Sequence, residues 1–138
     1  LILVYYISEE ELREIVNCCA EVGVTAVVEC SLQEELPRAL AINPVVLLLN
    51  NRPIAALPAE PQRGYSQGSV ETTLQWWQEE SRLRRWKQQA GKCLISASCI
   101  GSRVDIECLS PVPLDALLIG NAVMKASNRV EFLRQLQS

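Results

Sequence analysis

The sequence predicts an α/β fold in which helices cover a parallel β-sheet. Short apolar runs alternate with amphipathic stretches five times along the 138 residues, and repeated β/α units imply a parallel sheet. Several of these runs are continuously apolar, as is typical of strands buried on both faces. A composition of 49% hydrophobic and 21% charged residues is that of a globular domain rather than of a disordered chain.

The first unit consists of a strand and a helix with clear start and stop signals. Residues 1–6 form the predicted strand. Ser8 and Glu11 then have the S-x-x-E spacing of a capping box, in which two side chains satisfy free N–H groups at a helix start. Apolar side chains follow at helical spacing until Gly23, and glycine commonly ends helices because it tolerates the left-handed conformation.

The second and third strands are predicted at residues 25–30 and 45–49. The second strand is rich in β-branched residues, and the third is continuously apolar, as a strand covered on both faces should be. Between them, Ser31 and Glu34 repeat the capping-box spacing. A second helix is therefore expected to begin there and to end before Pro44.

Residues 53–69 interrupt the alternation of strands and helices. This segment carries several residues that break regular structure, namely Pro53, Pro58, Pro61, Gly64 and Gly68. It predicts a long inserted loop, and such loops are often functional. Residues 70–89 follow as one predicted helix, which contains Trp76, Trp77 and Trp86 beside a basic cluster. We interpret these tryptophans as core residues or as a contact for a partner.

The last two units complete the series. Strands are predicted at 92–96 and 114–119, and helices at 103–109, directly after residues 120–121, and at 129–136. Two architectures accommodate five such units, an open doubly wound sheet and a (β/α)₈ barrel. No G-x-G-x-x-G motif follows any predicted strand, so the dinucleotide-binding fingerprint of the first architecture is missing. Periodicity alone does not choose between the two.

Composition argues against several functional classes. The net charge of −3 does not favour nucleic acid, and no apolar run approaches the ~20 residues of a membrane span. The chain lacks a signal-peptide pattern, so we expect an intracellular protein, in the cytoplasm or in the plastid stroma of a plant or alga. There is no His and no C-x-x-C spacing, so no metal site is expected. Cys18 and Cys19 are adjacent in a helical pattern, and Cys30 and Cys93 lie at or beside apolar strands, so we expect small buried thiols rather than a disulfide framework.

Polar residues at the predicted strand ends are the candidates for chemistry, because both architectures place function there. Glu29 ends an apolar run, where burial would raise its pKa and suit it to proton transfer. Asn50 and Arg52 would point the same way in an extended segment, one suited to a substrate hydroxyl and the other to an anion. The alternatives are a helix-capping or salt-bridged carboxylate and side chains that satisfy loop backbone groups.

Ser98, Gly120 and Asn121 follow the last two predicted strands. Barrel enzymes frequently bind phosphate at this place, with backbone N–H groups and the start of a short helix as donors. A glycine also lets a phosphate approach the main chain closely. The position of these residues after consecutive strands therefore predicts a phosphate site.

Five segments of the sequence resemble the motifs of one family, in the same order. They are VEC…EEL..AL at 28–40, LNNR at 49–52, VETTL at 70–74, ISASCI at 95–100 and LIGNAVMK at 118–125. They are similar to VEVH…EEL..AL, INNR, LETTL, VSESGI and LVGESLMR of the indole-3-glycerol phosphate synthase family. The resemblance covers nearly all of residues 1–138 as a single domain. It implies the C-terminal part of a (β/α)₈ TIM barrel, with these strands as strands four to eight.

The resemblance implies a lyase of tryptophan biosynthesis. Enzymes of this family are carboxy-lyases (decarboxylases) that close the indole ring of a carboxyphenylamino-deoxyribulose phosphate with loss of carbon dioxide and water. They use no metal or cofactor. By the same resemblance, Glu29 would be the general base and Asn50 would hold the substrate hydroxyls.

Substrate binding is implied for four further residues. Arg52 would support the site, while Ser98, Gly120 and the backbone at Asn121 would bind the phosphate of the small-molecule substrate. The catalytic lysines of the family belong to earlier strands. The remaining barrel strands or a partner chain would therefore have to complete the site, and this segment alone is predicted to be inactive.

The sequence departs from the family motifs at three positions. Ala97 replaces the glutamate of SESGI, Cys99 replaces its glycine and would crowd the phosphate, and Pro53 replaces the usual Asp after NNR. These changes favour an alternative, a degenerate non-catalytic relative that acts as a structural or partner-binding subunit. The Trp-and-Arg-rich segment at 76–87 would then be its docking surface. A binder of another sugar phosphate is a third reading.

Overall fold

The structure is a computed structural model that describes residues 1–53 and 68–137. Within these residues five β-strands alternate with seven α-helices. The strands are β1 (Ile2–Leu3), β2 (Val27–Cys30), β3 (Val46–Asn50), β4 (Cys93–Ala97) and β5 (Ala116–Leu118). The helices are α1 (Glu9–Glu21), α2 (Leu36–Ala41), α3 (Glu71–Glu79), α4 (Ser81–Lys87), α5 (Arg103–Cys108), α6 (Asn121–Lys125) and α7 (Arg129–Gln137). Most of the loop predicted at 53–69 lies outside the described residues.

The five strands form one all-parallel sheet in the order β1-β2-β3-β4-β5. A doubly wound sheet reverses its strand order at a switch point, and this sheet does not. A sequential parallel order with helices between the strands is the arrangement of a (β/α)₈ barrel. The predicted fold class, five parallel β/α units of a partial barrel, is therefore confirmed.

The strand register separates two faces of the sheet. Residues paired across parallel strands share a face, and successive residues alternate between faces. Glu29 pairs with Leu48, and Leu48 pairs with Ile95, so these three lie on one face, which we call the inner face. The opposite, outer face carries the core, where strand residues meet helix residues; this cluster includes Val28, Leu47, Leu49 and Leu94 with Leu12, Leu36, Trp76 and Trp86.

The helix starts agree with the sequence in one unit and differ in the next. Ser8 and Glu11 form the predicted capping box of α1, and Gly23 follows the helix in the left-handed region at φ 72°. The second predicted capping box, Ser31 with Glu34, is wrong, because Glu34 is exposed. The carboxylate of Glu35, one residue later, is buried and accepts the backbone N–H groups of Ser31 and Leu32 at 2.7 and 3.3 Å.

The first strand is shorter than predicted. Only Ile2–Leu3 pairs with β2, and the chain then forms a single 3₁₀ turn, Val4–Tyr6. The guanidinium of Arg38 donates to the carbonyl groups of Ile7 and Val4 at 2.7 and 3.1 Å. This long-range interaction stabilises the turn and outweighs the β-propensity of the local residues.

The predicted helix at 70–89 is two helices, with a break at Glu80, where ψ is 98°. The guanidinium of Arg84 caps the first helix by donating to the carbonyl groups of Trp77 and Gln78 at 2.5 and 2.6 Å. Trp76 and Trp86 are only 4% and 3% exposed. They are core residues, so these two tryptophans are not part of a docking surface, and the one predicted at 76–87 stays a prediction for the exposed residues of that segment.

Trp86 anchors the amino-terminal end of the sheet. Its indole N–H donates to the carbonyl of Pro44 at 2.9 Å, and the Lys92 ammonium lies 5.7 Å from its ring centroid. Lys87 pairs with Asp115 at 2.6 Å at the same end. These contacts lie far from the strand ends where function is expected, so we assign them to stability.

The inner face is open beside β5. In the described part of the chain β1 and β5 each pair with one neighbour, so both expose an edge. Leu118, at the end of β5, is 56% exposed, and Met124 is exposed nearby in α6. Across residues 1–53 and 68–137, no helix has the length and hydropathy of a membrane span.

The outer-face core predicts a strong response to cavity formation. Leu47, at the centre of the sheet, is completely buried, so Leu47→Ala should lower the free energy of unfolding by about 2–5 kcal/mol. Val104, which is 71% exposed on α5, is the control, and Val104→Ala should change it by less than about 0.5 kcal/mol. Urea denaturation measures both. Equal effects of the two substitutions would contradict the assignment of the core.

Candidate functional site

Glu29 lies near the carboxyl end of β2, on the inner face, with only 6% of its surface exposed. Its Oε1 atom accepts a hydrogen bond of 2.8 Å from the side-chain amide of Asn50. Burial raises the pKa of Glu29 most, the Asn50 hydrogen bond lowers it by a smaller amount, and the charge of Glu35 raises it by less again. A carboxylate with a raised pKa is suited to accept a proton near neutral pH.

The side-chain amide of Asn50 is held at both ends. Its Nδ2 donates to Glu29, and its Oδ1 accepts the backbone N–H of Arg52 at 3.0 Å. These two bonds use one of the two N–H groups and one of the two lone pairs of the amide. Asn50 therefore has a fixed orientation and, among the described residues, one donor and one acceptor remain for a ligand hydroxyl.

A cleft of about 560 Å³ lies at the carboxyl ends of β4 and β5. All four residues predicted to bind substrate line it: Arg52, Ser98, Gly120 and Asn121. Arg52 supplies the cationic side chain. One carboxylate oxygen of Asp105, Oδ2, accepts the N–H groups of Gly101 and Ser102 at 2.9 and 2.8 Å, and Asp105 also lines the cleft.

The strand register connects this cleft to the Glu29–Asn50 pair. Asn50 pairs with Ala97, and Ala97 pairs with Leu118, so the three side chains share the inner face. Ala97 and Leu118 also line the cleft. All six predicted site residues therefore belong to one continuous inner surface at the carboxyl end of the sheet.

The donors of the cleft are found where α6 begins. The first backbone bond of α6 runs from the N–H of Met124 to the carbonyl of Gly120 at 3.0 Å. The N–H groups of the first turn, beginning at Asn121, therefore have no partner within the helix. Since the N–H of Ser98 donates to the carbonyl of Leu118 at 3.4 Å, its hydroxyl is the donor that this residue offers.

Gly120 has open space in front of its Cα atom. A Cβ added there would meet no atom of residues 1–53 and 68–137 within 4 Å, and φ is −107°. Neither the backbone conformation nor the packing of the protein requires glycine at this position. The free space belongs to the cleft, which agrees with the predicted close approach of a ligand to the main chain.

The fully buried side-chain amide of Asn51 stabilises the chain that lines this site. Its Nδ2 donates to the Ser96 hydroxyl and to the Ser98 carbonyl, both at 3.0 Å. Its Oδ1 accepts the backbone N–H and the hydroxyl of Thr73 at 3.1 and 2.8 Å. The hydroxyl groups of Thr73 and Ser96 are also hydrogen bonded, at 2.9 Å. The ends of β3 and β4 and the start of α3 are thus tied together.

Ser98 and Cys99 both have left-handed backbone conformations, with φ of 68° and 59°. Residues other than glycine adopt this region at a cost of roughly 1–2 kcal/mol each, and such conformations cluster at functional sites. The Cys99 Sγ lies 3.9 Å from the Asn51 carbonyl, on the side of Gly68. Cys99 also lines the cleft, so the predicted crowding of a phosphate stays a prediction.

Sequence reasoning missed the Asn51 group, by which we mean the hydrogen-bonded side chains of Asn51, Thr73 and Ser96. Asn51 and Thr73 occur inside the NNR and ETT motifs, but we assigned function only to the residues on either side of Asn51. The available signal was strand alternation: if Asn50 faces inward, Asn51 must face the helices. An amide at a buried outward position needs partners, and the hydroxyls of Ser96 and Thr73 were the nearest candidates in the neighbouring motifs.

Comparison with known proteins decides the family. No family model matches the chain. The indole-3-glycerol phosphate synthase of Lachnoclostridium phytofermentans is 30% identical over 138 residues, which is 100% of this chain and 45% of that protein. The synthase of Aquifex aeolicus is 26% identical over 136 residues, covering 99% and 47% of the two chains. The multifunctional tryptophan biosynthesis protein of Phycomyces blakesleeanus is 30% identical over 136 residues, covering 99% and 16%.

The chain is a partial, divergent member of the indole-3-glycerol phosphate synthase family. It spans less than half the length of these relatives. Relative to the family motifs, the inner-face position beside Asn50 holds Ala97 in place of a carboxylate. In residues 1–53 and 68–137, no three carboxylate, thiol or imidazole groups cluster as a metal site would require. That the family reaction proceeds here without a cofactor stays a prediction.

The Asn51 group predicts a selective effect of removing one hydroxyl. Thr73→Val should lower the free energy of unfolding by about 1–3 kcal/mol, because the buried Asn51 and Ser96 groups each lose a partner. Thr72→Val, one residue earlier in α3, is the control and should have an effect of less than about 0.5 kcal/mol. Chemical denaturation compares the two. Equal losses would mean that the hydroxyl contributes nothing beyond its shape.

Because the pKa of Glu29 is raised, replacing its carboxylate by a neutral side chain should stabilise the protein in a pH-dependent way. Folding favours the protonated form, so wild-type stability falls as the pH rises from the ordinary value of 4.5 through the raised pKa. Glu29→Gln keeps an acceptor for Asn50 and should be more stable than wild type at about pH 7, with the difference narrowing toward about pH 4. Glu34→Gln, at an exposed position, is the control. Denaturation at both pH values measures the difference. A Glu29→Gln protein that is less stable than wild type at neutral pH would contradict the raised pKa.

Proposed function

We propose that this chain is the phosphate-binding part of an indole-3-glycerol phosphate synthase barrel. The protein that contains it would be the carboxy-lyase that closes the indole ring of a carboxyphenylamino-deoxyribulose phosphate. The observation that carries the proposal is the continuous inner surface, which joins the Glu29–Asn50 pair to a cleft lined by Arg52 and Asn121. A carboxylate at one end and hydrogen-bond donors for an anion at the other match a substrate with a reacting ring and a phosphate group.

The phosphate would occupy the cleft at the ends of β4 and β5. The Ser98 hydroxyl and the first N–H groups of α6, beginning at Asn121, would donate to its oxygen atoms. The open space before Gly120 admits an oxygen atom close to the main chain. Arg52, on the Asn50 side of the cleft, would add the positive charge that a dianion favours.

Glu29 would act as the general base of ring closure. The loss of a proton from the closing ring needs an acceptor whose pKa is near the working pH, and burial moves Glu29 in that direction. The hydrogen bond from Asn50 fixes which carboxylate oxygen faces the amide. The remaining donor and acceptor of Asn50 would hold the substrate hydroxyls beside it.

Completion of the site would require groups from outside this chain. The Lys87 and Lys92 ammonium groups are engaged with Asp115 and with the Asn43 and Pro44 carbonyls, at the amino-terminal end of the sheet. They are therefore not placed to polarise a substrate on the inner face. The lysines would come from the remaining barrel strands or from a partner chain, which would also pair with the exposed edges of β1 and β5.

A steady-state assay of the full-length protein tests the proposal. With the carboxyphenylamino-deoxyribulose phosphate as substrate, wild type should form the indole product, and Glu29→Gln should lower kcat by about 10²–10⁴-fold, as expected on losing a general base. Glu34→Gln, at an exposed position, should retain the wild-type kcat. Turnover that is unaffected by Glu29→Gln would contradict the role of Glu29.

A second function, a non-catalytic relative, is favoured by one observation. The inner-face neighbour of Asn50 is the methyl group of Ala97, where the family motif has a carboxylate. A protein of this kind would bind phosphate but would not turn over the ring-closing substrate. Phosphate binding by a full-length wild-type protein without product formation would select this second function over the first.

A further inference from the structure

We propose that Asn51 is the positioning residue of the cleft: its amide holds the left-handed Ser98–Cys99 turn in the conformation that presents the phosphate donors. This inference rests on the proposed phosphate site. Asn51 is completely buried, so it acts only through the groups to which it is bonded. One of those groups, the Ser98 carbonyl, belongs to the wall of the cleft.

The geometry makes the Ser98 carbonyl bond different from the other bonds of Asn51. The bonds to Thr73 and Ser96 join α3 to the sheet behind the site. The bond to the Ser98 carbonyl instead fixes a peptide plane directly beyond β4, where the chain turns into the cleft. Rotation of that peptide would move the Ser98 side chain and the Cys99 backbone together.

The turn needs such a restraint because neither of its residues is glycine. Ser98 and Cys99 have φ of 68° and 59°, a region that side chains disfavour. Where the family motif has glycine, the conformation is accessible without help. Here Cys99 makes the left-handed conformation costly. Two contacts oppose relaxation of the turn: the hydrogen bond from the Asn51 side-chain amide to the Ser98 carbonyl, and the contact of Cys99 Sγ with the Asn51 carbonyl.

The test measures phosphate affinity in the full-length protein by titration with inorganic phosphate. Asn51→Asp keeps the acceptor for Thr73 but loses the donor to the Ser98 carbonyl, and Asn51→Ser is a smaller substitution in case the buried charge prevents folding. Each should raise the phosphate Kd by about 10-fold, the size expected for loss of one preorganising hydrogen bond. The φ angles of residues 98 and 99 in a crystal structure of the variant should leave the left-handed region.

Matched controls remove the structural bonds and leave the positioning bond. Ser96→Ala and Thr73→Val each delete a partner of Asn51 but keep its donation to the Ser98 carbonyl. They should destabilise the protein to an extent comparable with Asn51→Ser while changing the phosphate Kd by less than about 2-fold. A purely structural role for Asn51 predicts that all these variants weaken phosphate binding in proportion to their loss of stability.

A rescue experiment completes the design. Cys99→Gly on the Asn51→Ser background should restore part of the phosphate affinity, because glycine removes the cost of the left-handed conformation at one of the two turn positions. Equal losses of affinity in Asn51→Ser and Ser96→Ala, or left-handed φ angles retained in Asn51→Ser, would overturn the inference. If wild type binds no phosphate, the proposed function fails, and the φ angles still decide whether Asn51 holds the turn.

Discussion

The four hydrogen bonds of the Asn51 side chain hold the carboxyl end of this sheet together. They connect β3, β4 and α3 at a point that water does not reach. A buried amide is costly unless all its groups are paired, so the three elements must come together in one arrangement. Because Asn50 and Arg52 flank Asn51, the arrangement that satisfies the buried amide also places two site residues.

Strand alternation lets consecutive residues serve different purposes. Asn50 faces inward to Glu29, while Asn51 faces the helices and binds Thr73. The same division occurs in β4, where Ser96 faces outward into the buried group and Ala97 faces inward to the cleft. The chemistry of the inner face therefore depends on polar contacts made on the opposite side of the sheet.

Much of the fold could be predicted from the sequence because it is encoded locally. Continuous apolar runs located the strands, and the Ser8–Glu11 capping box located the start of α1. The six candidate site residues could be found because function in parallel sheets concentrates at strand ends. The family motifs added which of two parallel architectures was present, and periodicity could not supply that choice.

The errors share a physical cause, which is contact between distant parts of the chain. Arg38 stabilises the turn that shortens β1, and Arg84 caps the helix that ends before Glu80. The two buried tryptophans look the same in sequence whether they face the core or a partner. The Asn51 group depends on residues 22 and 45 positions away, and no local pattern reports such a contact.

A crystal structure of the full-length protein with glycerol phosphate bound would show whether Glu29 and the phosphate donors belong to one site. We expect the phosphate in the cleft between Ser98 and Asn121, with the carbon chain directed along the inner face toward Asn50 and Glu29. A phosphate bound elsewhere, or one in the cleft whose carbon chain points away from Glu29, would contradict a single site that joins the carboxylate to the phosphate donors.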